Sequence, residues 1–189
     1  HVSRIMADIR PLALSYCPPT VRARLCSNAS EIPLKAQTCD IVICSDVLHQ
    51  RDVIDPRRVV KEAYRVCRDG GVILLVEPAF ESLFGPHDDF ENGCRRYTVD
   101  GLFRLFQDCD VSIIKKTYLH LLMFFFFFFI RRVFSRFLSQ QGTDLSLGNP
   151  ITNKLSFWLE NWERRIGRHL SLPLGTSAAV LVKRENQPI

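Results

Sequence analysis

Apolar residues run in two rhythms along this chain. Short continuous runs stand at Ile5-Met6-Ala7, Cys39-Asp40-Ile41-Val42-Ile43-Cys44 and Gly71-Val72-Ile73-Leu74-Leu75-Val76. The last two are β-branched, as strands covered on both faces tend to be. Between them Val59, Val60, Ala63 and Val66 recur at helical spacing. Asp55 suits the N-cap of that helix and Pro56 its first position, and Asp69-Gly70-Gly71 is predicted to stop it. Strand, helix, strand in this order is a βαβ unit, so the predicted class is α/β. A second helix is expected after Thr98, with Val99, Leu102, Phe103 and Phe106 on one face. Val111-Ser-Ile-Ile-Lys115 and Ser177-Ala-Ala-Val-Leu-Val182 are further strand candidates, and no internal repeat is visible.

The stretch before the last strand reads differently. Leu121 to Ile130 holds ten apolar residues, six of them the consecutive Phe124–Phe129. As a helix this run spans only about 15 Å, too short to cross a bilayer core of about 30 Å. Beyond it, Arg131, Arg132, Ser135, Arg136 and Ser139 fall within an arc of roughly 140°, with Val133, Phe134, Phe137 and Leu138 opposite. Leu155, Trp158, Leu159, Trp162, Ile166 and Leu170 form a second apolar stripe. Basic amphipathic helices of this kind can lie in a membrane interface; helices packed on the sheet with arginines in water are the alternative. The expected division is an α/β domain over 1–118 and 174–189, with a hydrophobic and amphipathic helical insertion over 119–173.

Composition narrows the function classes. The chain has 189 residues, 25 Lys plus Arg against 20 Asp plus Glu, and a formal charge of +5. Such mild charge permits an anionic partner without requiring nucleic acid, and none is expected. With 47% hydrophobic and 24% charged residues, the chain can build one sizeable core. Its seven cysteines include no Cys-x-x-Cys, which argues against a zinc ribbon or disulfide framework and for a reducing compartment. No metal site is expected.

In an open α/β sheet, ligands bind beyond the carboxyl ends of the strands. Asp8 stands at the first such end. A carboxylate there can accept both hydroxyls of a ribose, or cap the helix that Pro11-Leu-Ala-Leu14 begins. Next come Ser27-Asn28-Ala29-Ser30-Glu31-Ile32-Pro33-Leu34, then Cys39-Asp40-Ile-Val-Ile-Cys44-Ser45-Asp46-Val47-Leu48-His49, then Val59–Val66 and Asp69-Gly70-Gly71. In this order and spacing they resemble the class I S-adenosylmethionine-dependent methyltransferases, the type 11 group in particular, from about Ile5 to Lys183. His87-Asp88-Asp89 with Arg95-Arg96-Tyr97-Thr98, and Leu172-Pro-Leu-Gly-Thr-Ser177, are similar to the signatures of bacterial membrane-associated members.

The resemblance implies a Rossmann-like doubly wound sheet, mostly parallel with an antiparallel last strand, and S-adenosyl-L-methionine as cofactor. It implies Asp8 at the ribose, Asn28 and Ala29 at the adenine and Ser45 near the methionine portion. Methyl transfer to an acceptor needs alignment and a base: His49, Arg95 and Arg96 are the candidate substrate contacts, the arginines for a phosphate or carboxylate, and His87, Asp88 and Tyr97 the catalytic candidates, His87 or Asp88 as the base. A structural role for the Arg-Arg-Tyr-Thr loop is the competing reading. Three positions depart from the family pattern: Asn28 replaces Asp, Gly93 replaces a common His, and Asp69 replaces Pro. The family's glycine-rich loop and strand one precede Asp8; a chain that begins at His1 is expected to lack both, and as a fragment to bind cofactor poorly and be inactive. The implied activity is methyl transfer to a small-molecule or lipid-linked acceptor. The implied location is the cytoplasm, peripheral at the inner membrane face if residues 121–170 meet a membrane surface. A non-catalytic module of the same fold that binds a membrane or partner is the alternative. A nicotinamide dehydrogenase half-domain lacks a Tyr-x-x-x-Lys pair, Asp108-Cys109-Asp110 reads as a turn, and Asn28-Ala29-Ser30 matches a glycosylation sequon only by accident.

Overall fold

The computed structural model describes residues 3–125 and 170–186, together with residues 157, 161, 163, 165 and 167. Six strands form two sheets. β1 (Arg4–Asp8) pairs in parallel with β2 (Val21–Cys26), and α1 (Pro11–Ser15) connects them. The larger sheet has the order β3-β4-β6-β5, built from β3 (Cys39–Ser45), β4 (Cys67–Pro78), β5 (Val111–Leu119) and β6 (Ser177–Arg184). β3 and β4 are parallel, and β6 runs antiparallel to both β4 and β5. The Rossmann-like class and the antiparallel last strand expected from sequence are both present.

Strand β2 is missing from the sequence reading, although its apolar positions Val21, Ala23 and Leu25 alternate with Arg22 and Arg24. Alternation, not a continuous run, marks a strand with one polar face.

Helix α2 (Pro56–Val66) carries the expected start: the Asp55 side chain accepts from Arg57 N, and Pro56 opens the first turn. Val59, Val60, Ala63 and Val66 are buried, the first three within the core formed with the larger sheet. Its end differs from expectation. Cys67 is already extended, and Asp69-Gly70-Gly71 lie inside β4. The glycines serve an irregular strand start: Gly70 has φ +71°, and a Cβ on Gly71 would stand 2.9 Å from Asp40 O. The final anchor is Arg184 of β6, which donates to Tyr64 O and Cys67 O, lies over the Tyr64 ring and stands 2.9 Å from Asp69.

Thr98 caps α4 (Val99–Arg104), accepting from Gly101 N. Leu102 and Phe106 enter the core formed with Ile73, Leu75, Val180 and Val182, and Val99 and Phe103 pack against it. The Leu172-Pro-Leu-Gly-Thr-Ser177 motif is explained by Gly175: a Cβ there would lie 2.1 Å from Leu119 O, so only glycine lets the segment cross the end of β5. Tyr118 N–H donates to Leu172 O and Ala79 N–H to Thr176 O, tying this segment to the sheet.

β1 and β3 each have one edge without a strand partner among the described residues. Around those edges Ile5 and Met6 are 40% and 45% exposed, and Ile41 and Ile43 are 61% and 65% exposed. A helical turn begins at Leu121, whose N–H donates to Glu163. No helix among the described residues is long and apolar enough to cross a membrane. Most of the Phe run, the basic helix expected at 131–139 and most of the second stripe lie outside the described residues.

Candidate active site

The carboxyl ends of β1 to β4 carry the sequence-predicted residues in two groups. The first is at β1 and β2, where Ser27 N–H donates to Asp8 O at 3.1 Å. Asp8 Oδ1 accepts from Arg10 N at 2.7 Å. Asp8 is not the N-cap of α1; that position is Arg10, without a side-chain cap. Asp8 Oδ2 bonds no group among the described residues. The adjacent Ser27 hydroxyl is buried and likewise without a partner. Asn28 Oδ1 accepts from Ser30 N at 2.9 Å, closing a tight turn, while Ala29 packs against the core. Helix α2 fixes the rest of this loop: Glu62 accepts from Ile32 N, and Arg65 bonds both Glu62 and Ile32 O.

The second group is at β3 and β4. Ser45 lies at the end of β3 and donates to Asp46 Oδ2 at 2.9 Å. Asp46 has φ +55° and Phe80, just after β4, has φ +56°. Left-handed backbone at two non-glycine residues beyond adjacent strands is strain of the kind that collects at functional sites. The loop after Asp46 is organised by a residue that the sequence reading passed over. Glu77 is fully buried, and its carboxylate accepts from Val47 N, Leu48 N and His49 N at 3.0, 2.8 and 3.1 Å. His49 Nδ1 lies 3.0 Å from the same carboxylate. The available signal was a lone acid closing an otherwise apolar strand; buried acids need donors, and here they are backbone N–H groups.

Residues 87–98 close over this loop. Cys94 N–H donates to His49 O at 2.9 Å, and the Tyr97 hydroxyl donates to Leu48 O at 3.1 Å. Burial pushes the Tyr97 hydroxyl up to about 12, so at neutral pH it is a donor. Arg95 contacts Cys94 Sγ and Tyr97 and has no carboxylate partner among the described residues. Arg96 is held differently. It forms a two-pronged bond to buried Asp88 at 2.9 and 3.0 Å and donates to Ala79 O. Asp88 also accepts from Gly85 N. These two candidates therefore face each other. His87 falls in the short helix α3 (Pro86–Phe90). Tyr97 and the backbone of Cys94 are brought to the loop that carries His49, just after β3, with Arg95 against Tyr97; Asp8, Asn28 and Ala29 belong to the β1–β2 group. The seven cysteines are free thiols, and no metal-binding cluster occurs among the described residues.

A family model described as a methyltransferase domain matches residues 5–75. No curated protein matches the chain by sequence. Among solved structures, it is similar to a Thermotoga maritima S-adenosylmethionine-dependent methyltransferase. There the TM-score is 0.59 and identity 15%, covering 96% of this chain and 73% of that one. It is also similar to the complex of a Haloferax volcanii methyltransferase with its Trm112 activator, at TM-score 0.58 and 11% identity, over 97% and 73%. The [4+2]-cyclase SpnF matches at TM-score 0.56 and 11% identity, over 98% and 67%.

S-adenosyl-L-methionine is the cofactor that the family match and fold imply, and the residues at the β1–β2 end fit it. Asp8 keeps one carboxylate oxygen without a partner among the described residues, an acceptor of the kind a ribose hydroxyl can use, and the buried Ser27 hydroxyl beside it is likewise unpaired. Residues 5–75 match the methyltransferase-domain family model, and the chain as a whole has a fold similar to that of solved S-adenosylmethionine-dependent methyltransferases.

Proposed function

We propose that this chain takes part in S-adenosyl-L-methionine-dependent methyl transfer to a small acceptor. Asp8 holds the cofactor ribose, Asn28 and Ala29 meet its adenine, and Ser45 lies near its methionine end. The observation that carries this reading is the coincidence of the family match with an open carboxylate oxygen on Asp8. The cofactor supplies a methyl group already activated on a sulfonium. The protein is left to align the acceptor and accept its proton. Asp8→Ala in the full-length protein is expected to weaken cofactor binding by roughly 1.5–3 kcal/mol, because the lost acceptor is charged. Unchanged affinity in titration calorimetry would remove Asp8 from the site.

The open edges of β1 and β3 support a further part of the proposal. One parallel strand between them would join the two sheets and cover Ile5, Met6, Ile41 and Ile43. The glycine-rich loop implied by the resemblance belongs after that strand.

On the acceptor side, Arg95 is the better-placed arginine, since Arg96 is engaged by Asp88. Arg95 is proposed to hold a carboxylate or phosphate of the acceptor. Arg95→Ala should raise the acceptor KM while leaving cofactor affinity unchanged. A loss of cofactor affinity in step with KM would count against this role. A lipid-linked acceptor, a membrane surface met through residues 121–170 and a cytoplasmic location at the inner membrane face rest on the sequence pattern of that segment. The competing reading is a non-catalytic module. Absence of S-adenosylmethionine binding by the full-length protein would favour the module.

A further inference from the structure

The two ring nitrogens of His49 have different surroundings. Nδ1 meets the Glu77 carboxylate, which also accepts three backbone N–H groups of the same loop. A carboxylate ringed by donors sets the ring proton on Nδ1 and leaves the lone pair on Nε2. Nε2 bonds no group among the described residues, yet it is not among the sealed, partnerless side-chain atoms. The Cδ2 edge of the ring lies against Gly93, where an added Cβ would stand 3.3 Å away. Gly93 is also bridged to Gln50, so the 87–98 loop fixes the ring from one side and Glu77 from the other. Asp46 and Glu91 are the other acids whose charge reaches the ring, and Tyr97 and Arg95 come from the covering loop.

We infer that His49, oriented by Glu77, is the proton acceptor for the group that receives the methyl, so the acceptor is a hydroxyl or an amine. This rests on the methyltransferase reading above. In the step, the acceptor's O–H or N–H bond breaks and its electron pair stays on the heteroatom. The proton passes to the Nε2 lone pair, and the resulting imidazolium keeps its Nδ1–H on Glu77. Glu77 is a positioning residue: it touches no substrate, fixes the ring's orientation and balances the charge that the ring gains. The alternative is that the pair only staples the loop after β3 to β4. That reading does not need a reactive Nε2.

Carbethoxylation by diethyl pyrocarbonate separates the two, because the reagent attacks only an accessible, unprotonated imidazole nitrogen. The native full-length protein is treated across a pH series, and each histidine is followed by peptide mass spectrometry. His49 is expected to react in the native state, faster as pH rises and the ring loses its proton. S-adenosylhomocysteine at about ten times its Kd should slow that reaction about tenfold, by simple occupancy. A His49 that reacts only after denaturation overturns the proposal. So does native reactivity unaffected by S-adenosylhomocysteine when calorimetry records binding. If calorimetry records no binding at all, the methyltransferase reading falls and this role falls with it. As an independent check, nitrogen-resolved NMR of the neutral ring should find the proton on Nδ1; a proton on Nε2 overturns the assignment.

Discussion

Glu77→Ala is expected to destabilise the protein by about 3–5 kcal/mol, the range for breaking a buried charged pair from one side. The carboxylate has no exposure and four donors, three from consecutive backbone N–H groups and one from His49. Its removal leaves those N–H groups in a cavity with no acceptor, and each unsatisfied buried donor costs about 1–3 kcal/mol. Glu77→Gln, which keeps one acceptor oxygen, should lose less. Urea unfolding of the variants measures the difference, and a loss below about 1 kcal/mol for Glu77→Ala would mean that water replaces the carboxylate. The same pair sets a pH dependence. Burial pushes the His49 pKa down, but the hydrogen bond and charge of Glu77, helped by Asp46 and Glu91, outweigh it and leave it above the ordinary 6.5. A folded value raised above the unfolded one gives stability that is fully present below about pH 6.5 and lost as pH rises through the folded value. The stability difference between wild type and His49→Gln should therefore shrink with rising pH across that window.

Asp88→Ala is expected to cost a similar 3–5 kcal/mol, because it strands the Arg96 guanidinium in a nearly closed site. The double variant Asp88→Ala with Arg96→Met should regain most of that loss. It removes the second charge and keeps an apolar side chain of similar length beneath the loop. A double-mutant cycle reads the coupling directly. Additive losses would mean that the two side chains act apart. This pair also sharpens the Arg95 prediction: Arg96→Ala should act through the melting transition and Arg95→Ala through KM. The neighbouring arginines carry equal charge, and only the buried carboxylate facing one of them separates their roles.

Features set by neighbours in the chain were legible in advance. The N-caps of α2 and α4 follow from Asp55-Pro56 and Thr98, because a cap bonds a backbone N–H two or three residues away. The continuous strands β3, β4 and β6 follow from β-branched runs, and the βαβ order follows from their spacing. What misled was ambiguity in local signals. Asp69-Gly70-Gly71 reads as a helix stop, since glycine suits any left-handed position, yet the chain uses it where β4 crosses close to Asp40. Val21–Cys26 passed unread because three apolar residues alternating with arginines make a weak pattern.

By itself, then, the sequence determined the α/β class, the order of most strands, the caps and the motif order that carries the family resemblance. All of these depend on residues close in the chain or on periodicity. The tertiary structure alone decided which charged residues face each other. Glu77 reaches backbone donors 28 to 30 positions away, Asp88 reaches Arg96 across eight, and Arg184 reaches carbonyls 117 and 120 positions earlier. A buried charge has to find a partner wherever packing offers one, and no local pattern encodes that choice.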